Sequence, residues 1–383
     1  MATLPPNLYR LLRALIEDGP TFRAELARAL DISRTTVTNL VNQLEDMGLV
    51  EEEGRADGSL KNGISITANL GIVAAVVFHI SRCTLAIALP DGRILATDSV
   101  SLDLDQPAEE RTTEGVQLLD KILDERQLRD KLRAIHLAVD TQIDVRQGRV
   151  YSSLASARWR AANPKKIFQD AFGVDVYVQN TARLRGLAEY KWGAGQNYDD
   201  VYYIELSEGV TSAHITDGII HSGFHGGAGE LGHTVFDWNG PQCECGNRGC
   251  LQQYVSVPAL VRDLKIVEPT VQDFEDVQRL VREGDSRALD ILDRVGEILG
   301  RTLVNLANLH DPEAIVIAGE ISELDPSILR SIEQMLCART LPLVGENIRV
   351  VAGQLTDPHS MTVRAGVESL HLNERVIDQV LDF

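Results

Sequence analysis

No stretch of this 383-residue chain approaches the ~18 uninterrupted apolar residues that a membrane-crossing helix needs. The N-terminus lacks the basic region, apolar region and cleavage site of a secretory leader and carries an amphipathic pattern instead, so a cytoplasmic protein is expected. No low-complexity tract or internal repeat is evident. Basic residues are too few to balance the acids, and the net charge of −19 argues against a nucleic-acid surface running along the whole chain. One small DNA-binding unit remains compatible with that charge. Apolar residues make up 44% of the chain, ample for a core, and the length suggests two or three structural units.

Cysteine is equally scarce, yet three of the five cysteines fall in one cluster, Cys243-Glu244-Cys245-Gly246-Asn247-Arg248-Gly249-Cys250, ten residues after His233. Three thiolates and one imidazole form a closed tetrahedral set suited to Zn²⁺, and Gly246 and Gly249 let the backbone turn tightly enough for the sulfurs to converge. A closed set leaves no position for water, so such a metal is structural. The alternatives are a disulfide and plain packing; a Cys-x-Cys pair bridges poorly, and the glycines and His233 favour metal over both. Cys83 and Cys337 lie in apolar contexts and read as small core residues.

The first 67 residues have the pattern of a winged helix-turn-helix. Leu8, Leu11, Leu12, Leu15 and Ile16 share one face of a helix starting near Pro5-Pro6, and a second helix from Arg23 to Leu30 buries Leu26, Ala27 and Leu30. After the turn Asp31-Ile32-Ser33, Ser33 can cap a third helix with Val37, Leu40, Val41 and Leu44 facing inward. Arg34, Thr35, Thr36, Thr38, Asn39 and Asn42 are left outside, the residue types that reach base edges and phosphates from a recognition helix. Two strands, Leu49 to Glu53 and Ile64 to Thr67, flank a glycine-bearing wing that carries Arg55 and Lys61. A three-helix unit can also serve only protein contacts, and Met1 to Asn62 hold 7 basic and 10 acidic residues. Distribution favours DNA: the third helix has no acid from Ser33 through Gln43, although Glu51-Glu52-Glu53 would repel phosphate if it faced the backbone.

From Ala68 onward the pattern is α/β. Candidate strands are Gly71 to Ile80, Thr84 to Leu89, Ile94 onward, Ile135 to Val139, Val174 to Val178, Val201 to Leu206, Ala213 to Ile215, Ala314 to Ala318 and Ile348 to Val351. Helical stretches include Gly115 to Asp124, Ala182 to Trp192, Ala288 to Leu309 and Ile328 to Leu336. The expected division is a winged helix over 1–67, a first lobe over 68–181 completed by a returning C-terminal helix over about 363–383, and a second lobe with the metal cluster over 182–362. The two lobes resemble an actin-like (ribonuclease H-like) ATPase-type fold with a cleft between them. The linker from Thr67 to Leu70 is too short to be flexible, so the N-terminal unit is expected to be mechanically coupled to the core.

The run Gly229-Glu230-Leu231-Gly232-His233, the cysteine cluster and Leu251-Gln252-Gln253-Tyr254 together resemble the signature of the ROK family of sugar kinases and sugar-responsive transcriptional repressors. The resemblance spans nearly the whole chain, and the N-terminal unit is similar to that of the repressor branch. It implies that Asn180, Glu230, His233 and Gln252 line a sugar site, with His233 also a metal ligand. It further implies three phosphate-binding turns and an Asn-Asp pair whose aspartate is the general base in kinases.

This chain departs from those patterns. His79-Ile80-Ser81-Arg82-Cys83 stands for the first phosphate turn, Ser207-Glu208-Gly209-Val210-Thr211-Ser212-Ala213 for the second, and Ala318-Gly319-Glu320 for the third. Asn180-Thr181 replaces Asn-Asp, and Gln252 stands where a glutamate is usual. Asp140-Thr141-Gln142-Ile143-Asp144 occupies a cleft segment where a glycine-proline turn is usual. The expectation is therefore a repressor with a catalytically inactive kinase-like core and a structural Zn²⁺, binding no ATP. Its expected partners are operator DNA, a sugar or sugar-derivative effector, and further copies of itself in a homodimer or dimer of dimers. An active kinase with a DNA-binding appendage and an effector-independent DNA-binding protein with a vestigial cleft are the alternatives.

Overall fold

The computed structural model describes residues 4–53, 63–150, 159, 162–371 and 373–382. Three helices, α1 (Pro6–Asp18), α2 (Arg23–Leu30) and α3 (Arg34–Asp46), precede the antiparallel strands β1 (Val50–Glu53) and β2 (Gly63–Ile66), paired from Val50 with Ile66 to Glu53 with Gly63. Ser33 caps α3 as its chemistry dictates, with Oγ accepting from the Thr36 amide at 3.1 Å. Leu40 is only half-buried, at the margin of the stripe formed by Val37, Val41 and Leu44.

The core begins with β3 (Ile72–Phe78), β4 (Arg82–Ala88), β5 (Ile94–Ser101), α4 (Ala108–Glu125), β6 (Leu132–Val139), α5 (Pro164–Phe172), β7 (Asp175–Asn180) and α6 (Thr181–Trp192). It continues with β8 (Asp200–Leu206), β9 (Val210–Thr216), β10 (Ile219–Ile220), α7 (Gln252–Val255), α8 (Val257–Val267), α9 (Phe274–Arg282) and α10 (Ser286–His310). The last elements are β11 (Ala314–Ala318), α11 (Ser327–Arg339), α12 (Pro342–Gly345), β12 (Arg349–Ala352), α13 (Pro358–His371) and α14 (Glu374–Leu381). Two five-stranded sheets result, ordered β5-β4-β3-β6-β7 and β10-β9-β8-β11-β12. Each is an antiparallel three-strand meander extended by two parallel strands. The architecture is therefore duplicated although the sequence carries no repeat.

Helix α6 lies against β8, β9 and α13. Gly186 makes that approach possible, because a Cβ there would come within 2.8 Å of the Ala213 Cβ and 3.1 Å of the Tyr203 Cβ. Further features differ from the expectation: the returning C-terminal segment is two helices, α13 and α14, with Asn373 capping the second, where one helix was expected. Helix α5, capped by Asn163 Oδ1 at 3.0 Å from the Lys166 amide, was not legible from apolar spacing alone. Cys337 is exposed, unlike the buried Cys83, because it falls on the outer face of α11, whose inner face is Ile328, Ile332 and Leu336. Among the described residues no helix is long and apolar enough to cross a membrane.

The N-terminal unit is seated on the core by the chain's own C-terminal region. Val376, Ile377, Val380 and Leu381 of α14 belong to one continuous apolar core with Leu8, Leu11, Leu12, Leu15 and Ile16 of α1. The Tyr9 hydroxyl donates to Asp378 at 3.0 Å and Arg13 pairs with Glu374 at 2.7 Å. His371 Nε2 lies 2.7 Å from the Ile16 carbonyl. That carbonyl has no intrahelical donor available, since the residue four positions on is Pro20, which lacks an N–H. Arg93 donates to the Ile66 carbonyl at 2.8 Å and fastens β2 to the core.

Because Nε2 donates to a carbonyl, Nδ1 of His371 is left facing Glu368 at 3.7 Å, a distance of charge attraction rather than hydrogen bonding. Glu368, with smaller contributions from the Ile16 carbonyl and then Asp91, raises the His371 pKa above 6.5 against the opposing effect of burial. His371 and then Lys191, 3.1 Å away, hold Glu368 down to about 2. Asp91 is itself paired with Arg93 at 2.7 Å. A raised histidine stabilises the fold fully below its unfolded value and loses that contribution as pH rises through its folded value; a depressed glutamate contributes above its unfolded value and fails only near pH 2. His371→Gln keeps a donor for Ile16 and removes the charge. Its stability deficit in urea titrations should be largest near about pH 5.5, on the order of 1–2 kcal/mol, and shrink towards about pH 8.5. A deficit independent of pH would mean that the imidazole is neutral in the fold.

Candidate functional site

On α3 the outward residues divide into two groups. Arg34, Thr35, Asn39 and Asn42 are exposed, and their side chains make no hydrogen bond among the described residues. The Thr36 hydroxyl is engaged with Ser33 Oγ at 2.8 Å, and Thr38 is half-buried with its hydroxyl donating to the Arg34 carbonyl at 3.0 Å. The free reading surface is thus narrower than the six residues read from spacing. Arg55 and Lys61 lie outside the described residues. The acid run after α3 is partly neutralised: Arg23 of α2 pairs with Glu52 at 2.6 Å and lies 3.8 Å from Glu45. Sequence reasoning missed this pairing, since nothing in local spacing ties residue 23 to residue 52.

The cysteine cluster converges as its spacing requires. One ligand atom from each of His233, Cys243, Cys245 and Cys250 lies within 4.8 Å of the others. Cys245 Sγ and Cys250 Sγ are 3.6 Å apart, far beyond a disulfide bond, and Cys243 Sγ is 3.8 Å from His233 Nδ1. Sulfurs about 2.3 Å from a shared tetrahedral ion stand about 3.8 Å from one another, so the residues fit a four-coordinate metal. Gly246 and Gly249 take the left-handed conformation, at φ 96° and 65°. At Gly249 a Cβ would overlap the Asp237 carbonyl, so only glycine closes this turn. Burial opposes ionising Cys245, but the Asn247 amide and the neighbouring thiols outweigh it and lower its pKa; burial pushes Cys250 up to about 12. A bound cation would offset the cost of gathering three thiolates. Gln252 Nε2 lies 3.6 Å from Cys243 Sγ, while Oε1 of the same side chain lies against Gly209.

Between the sheets is a cavity of about 210 Å³ at the carboxyl ends of four strands, lined by Ile80 after β3, Asp140 after β6, Asn180 and Thr181 at the β7–α6 junction, and Ser207 and Glu208 after β8. Asn180 Oδ1 caps α6 at the Ala182 amide, 2.8 Å away, and Nδ2 donates to the Thr141 carbonyl at 3.0 Å. The buried Thr181 hydroxyl donates to the Phe78 carbonyl at 3.2 Å. In the first turn, His79 is buried and its ring meets His359 edge-on at 4.3 Å. Burial, then Arg185, His359 and Arg82, push its pKa down to about 2, so it is neutral. Arg185 pairs with Glu205. In the second and third turns, Ser207 Oγ donates to Glu320 at 3.1 Å, and burial and then Glu320 raise the pKa of Glu208. This acid pair beside the cavity opposes a polyphosphate electrostatically.

Glu230 does not line that cavity. It lines a second one of about 450 Å³ between Tyr202 of β8, the Glu230–Phe236 segment and Thr302, Asn305, Leu306 and His310 of α10. Strand alternation separates the two places, since Tyr203 faces α6 and Tyr202 faces α10. The expected sugar residues therefore divide: Asn180 belongs to the interlobe cavity, Glu230 to the other, and His233 and Gln252 to the Cys/His cluster. Arg183, not read from the sequence, ties the first turn of α6 to the loop before Glu230. It is buried, donates to the Gly226 and Ala228 carbonyls at 2.5 and 2.6 Å and to Gln179 Oε1 at 2.9 Å, and lies 3.9 Å from Glu230. An arginine three residues after a helix-capping asparagine is the signal that could have found it.

Known proteins with similar sequence and structure combine the same parts. The MarR family matches residues 2–58. A xylose repressor of Bacillus spizizenii is 29% identical over 360 residues, covering 91% of each chain. The DNA-binding transcriptional dual regulator NagC of Escherichia coli is 27% identical over 397 residues, covering 98% of this chain and 95% of its own. A crystal structure of a ROK family transcriptional regulator, described as a homologue of the E. coli MLC protein, superposes with a TM-score of 0.77 at 22% identity over 98% of both chains. The ROK family pattern itself matches residues 81–363, from the first turn of the cleft through the metal cluster to α13, and on that match, well over half of its length, the chain belongs to the ROK family.

Proposed function

We propose that the protein is a DNA-binding transcriptional repressor of the ROK type, with a structural zinc ion and a kinase-like core that senses a sugar and does not phosphorylate it. The observation that carries this reading is the exposed face of α3, free of acid from Arg34 through Gln43, on a unit whose own core is continuous with that of the sensing lobes. We divide the chain into a reader over 1–67, a first lobe over 68–181 with the returning segment 363–383, and a second lobe over 182–362. A homodimer or dimer of dimers acting on a palindrome is part of this reading, because one recognition helix contacts few base pairs and two, about 34 Å apart, add their energies. Against catalysis stand the neutral, buried His79 in the first turn, the Glu208–Glu320 pair, and Thr181, a hydroxyl bonded to backbone where a base is needed. Xylose and N-acetylglucosamine, after which relatives are named, head the panel of sugars to test.

Zinc is the metal that three sulfurs and one imidazole at these separations suit best. Elemental analysis is expected to find about one zinc per chain, and Cys245→Ser to lower both zinc content and melting temperature; folded, metal-free protein would remove this claim.

At the operator, replacing Arg34 or Asn39 by alanine should cost about 1–3 kcal/mol in fluorescence anisotropy with folding intact. Changes at Arg55 or Lys61 should instead weaken binding evenly across sequences and flatten its salt dependence. Unchanged affinity in the α3 variants would mean that this face packs and does not read.

For the sensing core, calorimetry against hexoses, hexosamines, pentoses and sugar phosphates tests for an effector, and a coupled assay with ATP should register no phosphorylation, including after Thr181→Asp. Glu230→Ala should abolish any sugar-dependent change in operator affinity and leave the sugar-free affinity nearly intact. An equal sugar response in wild type and Glu230→Ala would place the effector elsewhere.

A further inference from the structure

Helix α6 begins in the interlobe cavity and ends beside the joint with the DNA-binding unit. Its first turn carries Asn180 as cap, Thr181 bonded to the end of β3, and Arg183 holding the Gly226 and Ala228 carbonyls of the loop that leads to Glu230. Twelve residues on, a rise of about 18 Å, its last turn presents Lys191 and Trp192. Lys191 Nζ is 3.1 Å from Glu368 Oε1, and the Arg364 guanidinium lies over the Trp192 ring at 4.2 Å. Both partners belong to α13. Glu189, buried in the same turn, accepts from the Ala194, Gln354 and Leu355 amides at 2.8, 2.9 and 3.0 Å and so ties this end of α6 to the segment that enters α13.

From α13 the chain of contacts continues without a gap. The other oxygen of Glu368 faces His371 Nδ1, and His371 Nε2 faces the Ile16 carbonyl at the end of α1. The charges alternate along it, ammonium, carboxylate, imidazole, and it ends on the negative pole of a helix, where a cation is favoured. Pro20 leaves the Ile16 carbonyl no donor within its own helix, so displacing His371 strands a polar group, and the two move together.

We infer that α6 is a lever between the cleft and the DNA-binding unit, and that Lys191, Glu368 and His371 are positioning residues that pass its displacement to α1. The inference rests on the sensing role proposed above, since that role gives the lever something to report. A shift of α6 on lobe closure pulls or releases the carbonyl end of α1. Helices α2 and α3 pack on α1, so the recognition helix moves with it.

The test needs no sugar. In the full-length protein, Arg183→Met perturbs the cleft end of α6 and Glu368→Gln breaks the joint. Two readouts apply: affinity for a selected operator, and amide hydrogen exchange in α1 from Leu8 to Ile16. Arg183→Met is expected to change operator affinity about five-fold and to alter exchange in α1. In the Glu368→Gln background the same substitution should change either readout by less than about two-fold, and Lys191→Arg, which keeps the ion pair, should retain the full effect. Equal effects of Arg183→Met in both backgrounds, or no effect on α1 in either, would overturn the lever. If Arg183→Met does not fold, Thr181→Val takes its place. Should the wild type bind no DNA, the DNA-binding reading falls, and exchange in α1 still decides whether the two ends of α6 are coupled.

Discussion

Helix α1 presents more apolar surface than the small unit it belongs to can cover, and the remainder must be buried by something else. The amphipathic helix α14, about 360 residues away in sequence, does so. Everything else about the joint depends on that burial. The Arg13–Glu374 and Tyr9–Asp378 contacts are exposed and contribute little by themselves. They act as a register for a hydrophobic contact that supplies most of the stabilisation. A flexible tether would have let the reader turn independently; a shared core makes its orientation a property of the whole molecule.

The second organising constraint is the meeting of strand ends. Parallel strands β6, β7 and β11 place their carboxyl ends towards the gap between the sheets, so loops after strands collect there whatever their sequence. In this chain those loops are filled with groups that satisfy one another. Thr181 bonds to backbone, His79 is packed among Thr84, His359 and Arg185, and Ser207 is bonded to Glu320. The Cys/His cluster stands apart. Its loop has few apolar residues, and His233, Cys243, Cys245 and Cys250 converge there in a set that could hold a metal.

Much of this was legible in the sequence, for reasons that can be named. The capping of α3 by Ser33, the stripe Val37, Val41 and Leu44, and the cysteine spacing are local, and local chemistry has few alternative outcomes. Most strands of both sheets stood out as apolar runs, whereas the two-residue β10 did not. What was hidden depended on contacts distant in sequence. Arg23 neutralising Glu52, Arg183 holding the loop before Glu230, and His371 supplying the donor that Pro20 denies to Ile16 each join residues that no periodicity connects. The division of the expected sugar residues between two cavities was equally invisible, because it turns on which face of β8 each neighbour packs against. A motif fixes which residues lie close together along the chain, and the sheet decides which side they serve.

The seating of α1 on α14 also orders events in time. On a ribosome the reader emerges before the core, and the helix that completes its seat is made roughly 20–70 s later at about 5–20 residues per second. During that interval α2, α3 and the strand pair can fold around α1, but one flank of α1 remains apolar and open to water. A chain that stops before residue 374 would carry that flank permanently, with its recognition helix present and its bearing undefined. Helix α14 therefore acts as a seal on synthesis: only a chain translated through it has the helix on which its N-terminal unit is seated.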